Sequence, residues 1–161
     1  MAVDLIRKLE ESLIDVAILL SAPSIPGITV EELYQETFVL VANPNTYYEP
    51  LLYDEAFDKN YVGVNWGKEF QENKNHFFPT PITPQLSVNI GLYEIRFMLE
   101  RGGCGYFPFS MISEYIKTEE LMIVNDALKI KQPVYLAYSK EDHREFLKPL
   151  LGGFKSIAKG L

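Results

Sequence analysis

The sequence has little cysteine and no surplus of positive charge. Cys104 is the only cysteine among 161 residues, so the chain can form neither an intramolecular disulfide nor a multi-cysteine zinc site. Fifteen Lys and Arg against 22 Asp and Glu give a formal charge of −7. A field of that sign disfavours non-specific binding to nucleic acid or to anionic membranes. The sparse cysteine is typical of a reducing compartment and predicts a cytoplasmic location.

Long hydrophobic runs are also missing. No stretch approaches the roughly 20 apolar residues that a membrane-spanning helix needs. The first residues, MAVDLIRKLEESL, carry charges throughout and lack the apolar core of a signal peptide. The chain nevertheless has material for a core, since 47% of its residues are hydrophobic and 23% are charged. Its length and composition predict one globular domain or two small lobes.

Short apolar runs alternate with amphipathic stretches along the chain, which favours an α/β fold with mostly parallel sheets. The continuous apolar run DVAILLS predicts a strand covered on both faces. Asn65 is predicted to cap a helix carrying Trp66, Asn89 to cap the next one, and Gly102 to end that helix. The predicted strands lie at 15–21, 28–42, 61–64, 85–88, 104–107, 121–124 and 134–138. The predicted helices lie at 4–14, from 66, from 90 to 101, from 110 to 116, and from 141 to 159 with a kink near Pro149 or Gly152–Gly153.

The order of several segments resembles the effector-binding domain of LysR-type transcriptional regulators. These segments are LIRKLEESLIDVAILL, GITVEELYQETFVLVANP, WGKEF, LYEIRFMLERGGCGYFPFSMI and VYLAYSKEDH. Phe107–Pro108 stands where the family usually has Leu-Pro. The resemblance covers nearly the whole chain and depends on the order and spacing of the segments.

That resemblance implies two small Rossmann-like lobes joined by two crossover segments, as in type 2 periplasmic binding proteins. The first lobe would comprise about 1–40 and 128–161, and the second about 41–127. The family's helix-turn-helix and the first strand–helix–strand of its effector domain have no counterpart here, so the first lobe is expected to be incomplete. DNA would be reached only through the absent helix-turn-helix. An exposed strand edge beside the DVAILL run would then favour a homodimer or higher oligomer.

The same resemblance places a small-molecule effector between the lobes and implies its candidate contacts. Each candidate also has a structural interpretation: Asn89 as a helix cap, Ser87 as a strand residue, Trp66 as a core anchor, and the 21–22 segment as an ordinary loop. The candidates are Ser21, Ala22, Asn65, Trp66, Gly67, Ser87, Asn89 and Tyr93.

Nothing in the sequence points to catalysis, a metal ion or a cofactor. The GGCG at 102–105 follows a helix and precedes a strand, the reverse of a dinucleotide-binding loop, and Cys104 is predicted to be a small core residue. His76 and His143 are expected at the surface without metal-ligand spacing. The predicted function is regulatory ligand sensing without enzymatic activity. Two alternatives are a stand-alone binding protein of periplasmic type and an association module that dimerises with intact regulators.

Overall fold

The computed structural model describes residues 2–45, 60–78, 82–88, 90–140, 145 and 147–158. Helices and strands alternate along these residues, which confirms the predicted α/β fold. The helices are α1 (Ala2–Glu10), α2 (Lys68–Phe77), α3 (Gly91–Arg101), α4 (Phe109–Lys117) and α5 (Leu147–Ala158). The strands are β1 (Val16–Leu19), β2 (Ile28–Ala42), β3 (Val62–Val64), β4 (Leu86–Val88), β5 (Cys104–Pro108), β6 (Met122–Ile123) and β7 (Ile130–Ser139).

The chain divides into two compact units. Unit 1 comprises Met1–Glu36 and Gln132–Leu161, and unit 2 comprises Thr37–Lys131. The chain passes from one unit to the other inside β2 and returns inside β7, so both connections are strand residues. The units meet between residues 36 and 37 and between residues 131 and 132. Each of these boundaries lies four residues from the predicted one, after residue 40 or before residue 128.

Unit 1 is built on an antiparallel pair. β1 pairs with β7 from Val16 opposite Tyr138 to Leu19 opposite Tyr135. A small core forms where α1 packs on these strands, and it contains Ile6, Leu9, Ala17, Leu19, Ile28 and Ala137. The prediction that both faces of β1 are covered is wrong. Ala17 and Leu19 are buried, but the side chain of Ile18 on the other face is 42% exposed.

The first helix is shorter than predicted. It ends at Glu10, and Ser12 adopts a positive φ of 54° that takes the chain out of the helical path. Leu13 belongs to the predicted helix at 4–14 but lies beyond the end of α1, and it is 67% exposed. Ile6 and Leu9 provide the buried contacts of this helix.

Unit 2 contains antiparallel and parallel pairs. β2 pairs antiparallel with β5, from Phe38 opposite Pro108 to Ala42 opposite Cys104, and also antiparallel with β6. β3 and β4 pair parallel. The expectation of mostly parallel sheets is therefore wrong. Alternation of strands and helices predicts parallel neighbours, but β2 and β7 connect the two units and the strands beside them run in the opposite direction.

The core of unit 2 lies between these strands and helices α3 and α4. It comprises Val39, Val41, Val62, Val64, Ile95, Met98, Phe107, Ile112 and Leu121, with Trp66 and Leu86 among the side chains packed against it. Cys104 is fully buried, as predicted for a small core residue. His76 is exposed on α2, as predicted, and His143 lies outside the described residues.

Helix ends agree with the sequence in part. Gly102, with φ of 80°, ends α3 as predicted. Asn65 does not occupy the N-cap position of α2, because that helix begins at Lys68 and Trp66 precedes it. Residue 149 lies in the first turn of α5, where proline is tolerated because its missing N–H has no partner inside the helix. The helix continues without interruption to Ala158, so the prediction that it is divided there is wrong.

Among the described residues, no helix has both the length and the apolar character needed to cross a membrane.

Candidate functional site

A surface pocket in unit 2 lies where two parallel strands end. Its volume is about 550 Å³, and it is lined by Asn65, Ser87, Val88, Ile90 and Tyr93. Gly63 is opposite Ser87 and Val64 is opposite Val88 in the β3–β4 register, so the pocket adjoins the carboxyl ends of both strands. Open α/β sheets bind ligands at this edge, because the loops and helix N-termini that follow the strands converge there.

Three predicted contact residues line this pocket together. Asn65 follows β3, Ser87 belongs to β4, and Tyr93 lies in the first turn of α3. The Asn65 N–H donates to the carbonyl of Val88 at 3.2 Å, which extends the parallel pair beyond β3. The side-chain Oδ1 of Asn65 accepts the N–H of Gly67 at 3.1 Å, leaving its amide nitrogen as a donor.

The lining is chemically mixed, and none of its described residues carries a charged side chain. An amide, an aliphatic hydroxyl and a phenol supply donors and acceptors, while Val88, Ile90 and the ring of Tyr93 supply apolar surface. Helix α3 begins directly after Ile90, and its N-cap residue makes no side-chain capping bond. The N–H groups of a helix's first turn point beyond its N-terminus and attract hydrogen-bond acceptors.

Trp66 is not among the residues that line the pocket, but its ring packs next to Gly91 at the start of α3. Its indole N–H donates to the carbonyl oxygen of Tyr106 at 2.7 Å, and its ring packs edge-on against Phe38 with 5.4 Å between centroids. The far end of the ring lies under Gly91, where an added Cβ would be 2.5 Å from Cη2. This geometry favours the core-anchor interpretation. Gly67 is the N-cap of α2, with φ of 104°.

The other predicted contacts lie elsewhere or outside the described residues. Ser21 and Ala22 follow β1 in unit 1, where Gln132 Nε2 donates to the carbonyl of Leu20 at 2.9 Å and steadies the start of that segment. Asn89 lies outside the described residues.

Sequence reasoning missed two of the lining residues and one buried acid behind them. Val88 and Ile90 are the sequence neighbours of Asn89, which was predicted to contact the effector. Extending that prediction to the whole segment between strand and helix would have included both residues. Glu94 is fully buried in α3, and neither of its carboxyl oxygens has a hydrogen-bond partner. Burial raises the pKa of Glu94 to about 9. Its spacing from Gly91, Ile95 and Met98 puts all four residues on one face of the helix, and this spacing could have predicted that Glu94 is buried.

The residues that the structure describes contain no group of three or more His, Cys, Asp or Glu side chains placed to hold a metal ion. Cys104 is buried beside Tyr61 and Tyr106, and burial is the main cause that raises the pKa values of both phenols.

Comparison with known proteins finds one family. The model of the LysR substrate binding domain matches residues 1–151. A comparison with curated proteins found no match.

Several solved structures share the fold. The regulatory domain of CrgA, a LysR-type transcriptional regulator from Neisseria meningitidis, superposes with a TM-score of 0.79 at 15% identity, covering 94% of this chain and 78% of that one. The CcmR regulatory domain from Synechocystis, in complex with 2-PG, gives 0.75 at 13% identity, covering 98% and 80%. At these identities the likeness concerns the fold alone.

Full-length LysG from Corynebacterium glutamicum gives a TM-score of 0.68 at 16% identity, covering 96% of this chain. That protein has also been solved with bound effector Arg. This chain spans about half the length of full-length LysG, 54%.

Proposed function

Because the chain belongs to the family of LysR substrate binding domains, which sense ligands and are not enzymes, we propose that it binds a small-molecule effector in the unit 2 pocket. The observation that carries this proposal is the convergence of Asn65, Ser87 and Tyr93 at the carboxyl ends of β3 and β4. The likeness to LysG and CcmR, both solved with bound small molecules, supports the same function.

The lining favours a ligand with hydrogen-bond acceptors beside an apolar portion. The Asn65 amide, the Ser87 hydroxyl and the first turn of α3 donate hydrogen bonds, and Val88 and Ile90 contact apolar surface. Ser21, Ala22 and Asn89 remain proposed effector contacts.

We propose that this binding controls transcription in a LysR-type regulator that contains such a domain. A ligand that prefers one arrangement of the domain shifts the population toward it and so changes how linked DNA-binding helices sit on DNA. In such a regulator, DNA contact would belong to a helix-turn-helix and not to the substrate binding domain that residues 1–151 match. We place that regulator in the cytoplasm, in keeping with the single cysteine.

Self-association is a further part of the proposal. In unit 1, β7 is the one strand neighbour of β1 among the described residues, so no described strand pairs with the other edge of β1. An exposed strand edge is a template for pairing with a second chain, and a homodimer or higher oligomer would cover it.

The binding proposal is tested by thermal shift with a panel of neutral and acidic metabolites, followed by calorimetry of each compound that raises Tm. Asn65→Ala and Ser87→Ala should each weaken binding about tenfold, the effect of one lost hydrogen bond. Ser156→Ala, an exposed serine on α5 in unit 1, is the matched control and should leave the affinity unchanged. A ligand whose affinity is the same in all three variants would bind elsewhere and contradict the proposal.

A further inference from the structure

Glu94 is the one acid of α3 that points into the protein. It shares the inner face of this helix with Gly91, Ile95 and Met98, and its side chain is fully buried. Both carboxyl oxygens are buried and lack a hydrogen-bond partner. A buried polar group without a partner costs free energy, and a buried unpaired charge costs far more.

The carboxyl group is wedged against the backbone of β5. A Cβ added at Gly105 would lie 2.6 Å from Glu94 Oε1 and 3.0 Å from the carbonyl oxygen of Val62. Only a glycine at 105 leaves room for this carboxyl. The group therefore fills a space between α3, β3 and β5 that contains no room for a shell of water.

Among the described residues, no cation forms an ion pair with Glu94. Tyr61, just before β3, and Tyr106 of β5 are phenols whose pKa values are raised by burial, so both are neutral at ordinary pH. Lys74 of α2 places its ammonium over the Tyr61 ring, 5.2 Å from the ring centroid. β4 offers only Leu86, Ser87 and Val88.

The same turn of α3 forms the wall of the pocket. Ile90 and Tyr93 line the pocket, and the latter directly precedes Glu94. Gly91 rests on the Trp66 ring. A movement of Glu94 toward water would therefore carry the pocket wall and the Trp66 contact with it.

We propose that the pocket is linked to a proton: α3 holds its pocket-forming position when Glu94 carries its proton, and shifts when the carboxyl ionises. This inference deepens the proposed function and rests on it, because it describes regulation of the same pocket. A ligand that fits the pocket would bind the protonated form and hold the proton in place.

The sign of the pH effect follows from the two protonation states. Unfolding exposes Glu94 and returns its pKa from about 9 to the ordinary 4.5, so the unfolded chain releases a proton between these values. Stability due to this group is therefore greatest below about pH 4.5 and falls as pH rises to about 9. In this pH range, the equilibrium constant for unfolding rises by up to about tenfold for each pH unit.

The test compares wild type with Glu94→Gln, which keeps the shape of the protonated acid but cannot ionise. The measurement is urea unfolding of the 161-residue chain between about pH 6 and 8. Trp66 is the only tryptophan, so its emission reports unit 2 alone. The unfolding constant of wild type should rise by up to about tenfold per pH unit relative to that of Glu94→Gln. Glu100→Gln, an exposed acid on the same helix, should behave as wild type.

The movement of the pocket wall is read from the folded protein without urea. The Trp66 emission of wild type should change with a midpoint near pH 9, and that of Glu94→Gln should lack this step while keeping any change due to tyrosine ionisation. Glu94→Leu, which cannot ionise either, replaces the glutamine variant if that variant does not fold.

The proton link would be overturned if the pH dependence of unfolding were the same in wild type and in the Glu94 variant used. It would also be overturned if the change in Trp66 emission near pH 9 persisted in that variant. These outcomes need no ligand. If the step is present and no compound binds the pocket, the proposed effector function fails while the proton link stands.

Discussion

Trp66 and Gly91 meet where α3 begins, and this contact sets the position of the pocket wall. The Trp66 ring has little freedom to retreat, because its N–H is bonded to the Tyr106 carbonyl and its edge contacts Phe38. A methyl group at position 91 would lie 2.5 Å from the ring. The absence of a side chain at residue 91 is therefore a packing requirement.

Gly91→Ala is expected to lower the free energy of unfolding by about 1–3 kcal/mol, the usual cost of forcing an extra methyl into a packed site. The Trp66 emission spectrum should shift in the folded variant because the ring must move. Chemical denaturation followed by this fluorescence measures both effects.

Gly152→Ala is the matched control for this substitution. Gly152 lies inside α5, and a Cβ added there would meet nothing within 4 Å. Alanine has the higher helix propensity, so this variant should gain about 0.5–1 kcal/mol. If both substitutions changed stability equally, the close contact at Gly91 would be disproved.

At the scale of elements, β1 combines a buried face with an exposed one. Its side chains alternate, so Leu19 is 3% exposed and neighbouring Ile18 is 42% exposed. The same strand has a single strand neighbour in the described part of unit 1. An apolar exposed side chain on an edge strand favours association, and natural edge strands often carry lysine to prevent it.

Ile18→Lys is expected to weaken self-association while changing the free energy of unfolding by less than about 0.5 kcal/mol, since the side chain is at the surface. Sedimentation velocity over a range of protein concentrations measures the association. Leu19→Lys is the contrasting variant and should unfold the protein by placing a charge in the core. Wild type that sediments as a monomer at every concentration would contradict the proposed oligomer.

At the scale of the whole molecule, net charge is the property that bears most directly on partners. The formal charge of −7 repels the phosphate backbone. Protein–DNA affinity depends largely on cations that displace condensed counterions, and this chain has an excess of carboxylates.

The 161-residue chain is therefore expected to show no binding to duplex DNA at about 150 mM salt. Fluorescence anisotropy of a labelled duplex measures this, with a basic DNA-binding domain as the positive control. Micromolar affinity that weakens steeply with added salt would show a cationic surface that the net charge conceals.

The sequence by itself determined the α/β class and the order of the elements. Periodicity located β2 from Ile28 to Ala42, and Gly102 marked the end of α3 correctly. Local signals in the sequence, such as caps, short apolar runs and glycines, indicate strand ends and helix starts. The family resemblance is what implied Asn65, Ser87 and Tyr93 as effector contacts at those positions.

Tertiary structure alone decided which strands run antiparallel, which side chains meet and which acid is buried. Hydrophobic alternation identifies a strand but not the direction of its neighbour, so the general expectation of mostly parallel sheets missed the antiparallel pairing of β1 with β7 and of β2 with β5. Trp66 is predicted on a helix, yet it precedes α2, and its indole N–H donates to the carbonyl oxygen of Tyr106. The burial of Glu94 depends on Gly105, a residue on another element, and contacts between distant residues are not encoded in local pattern.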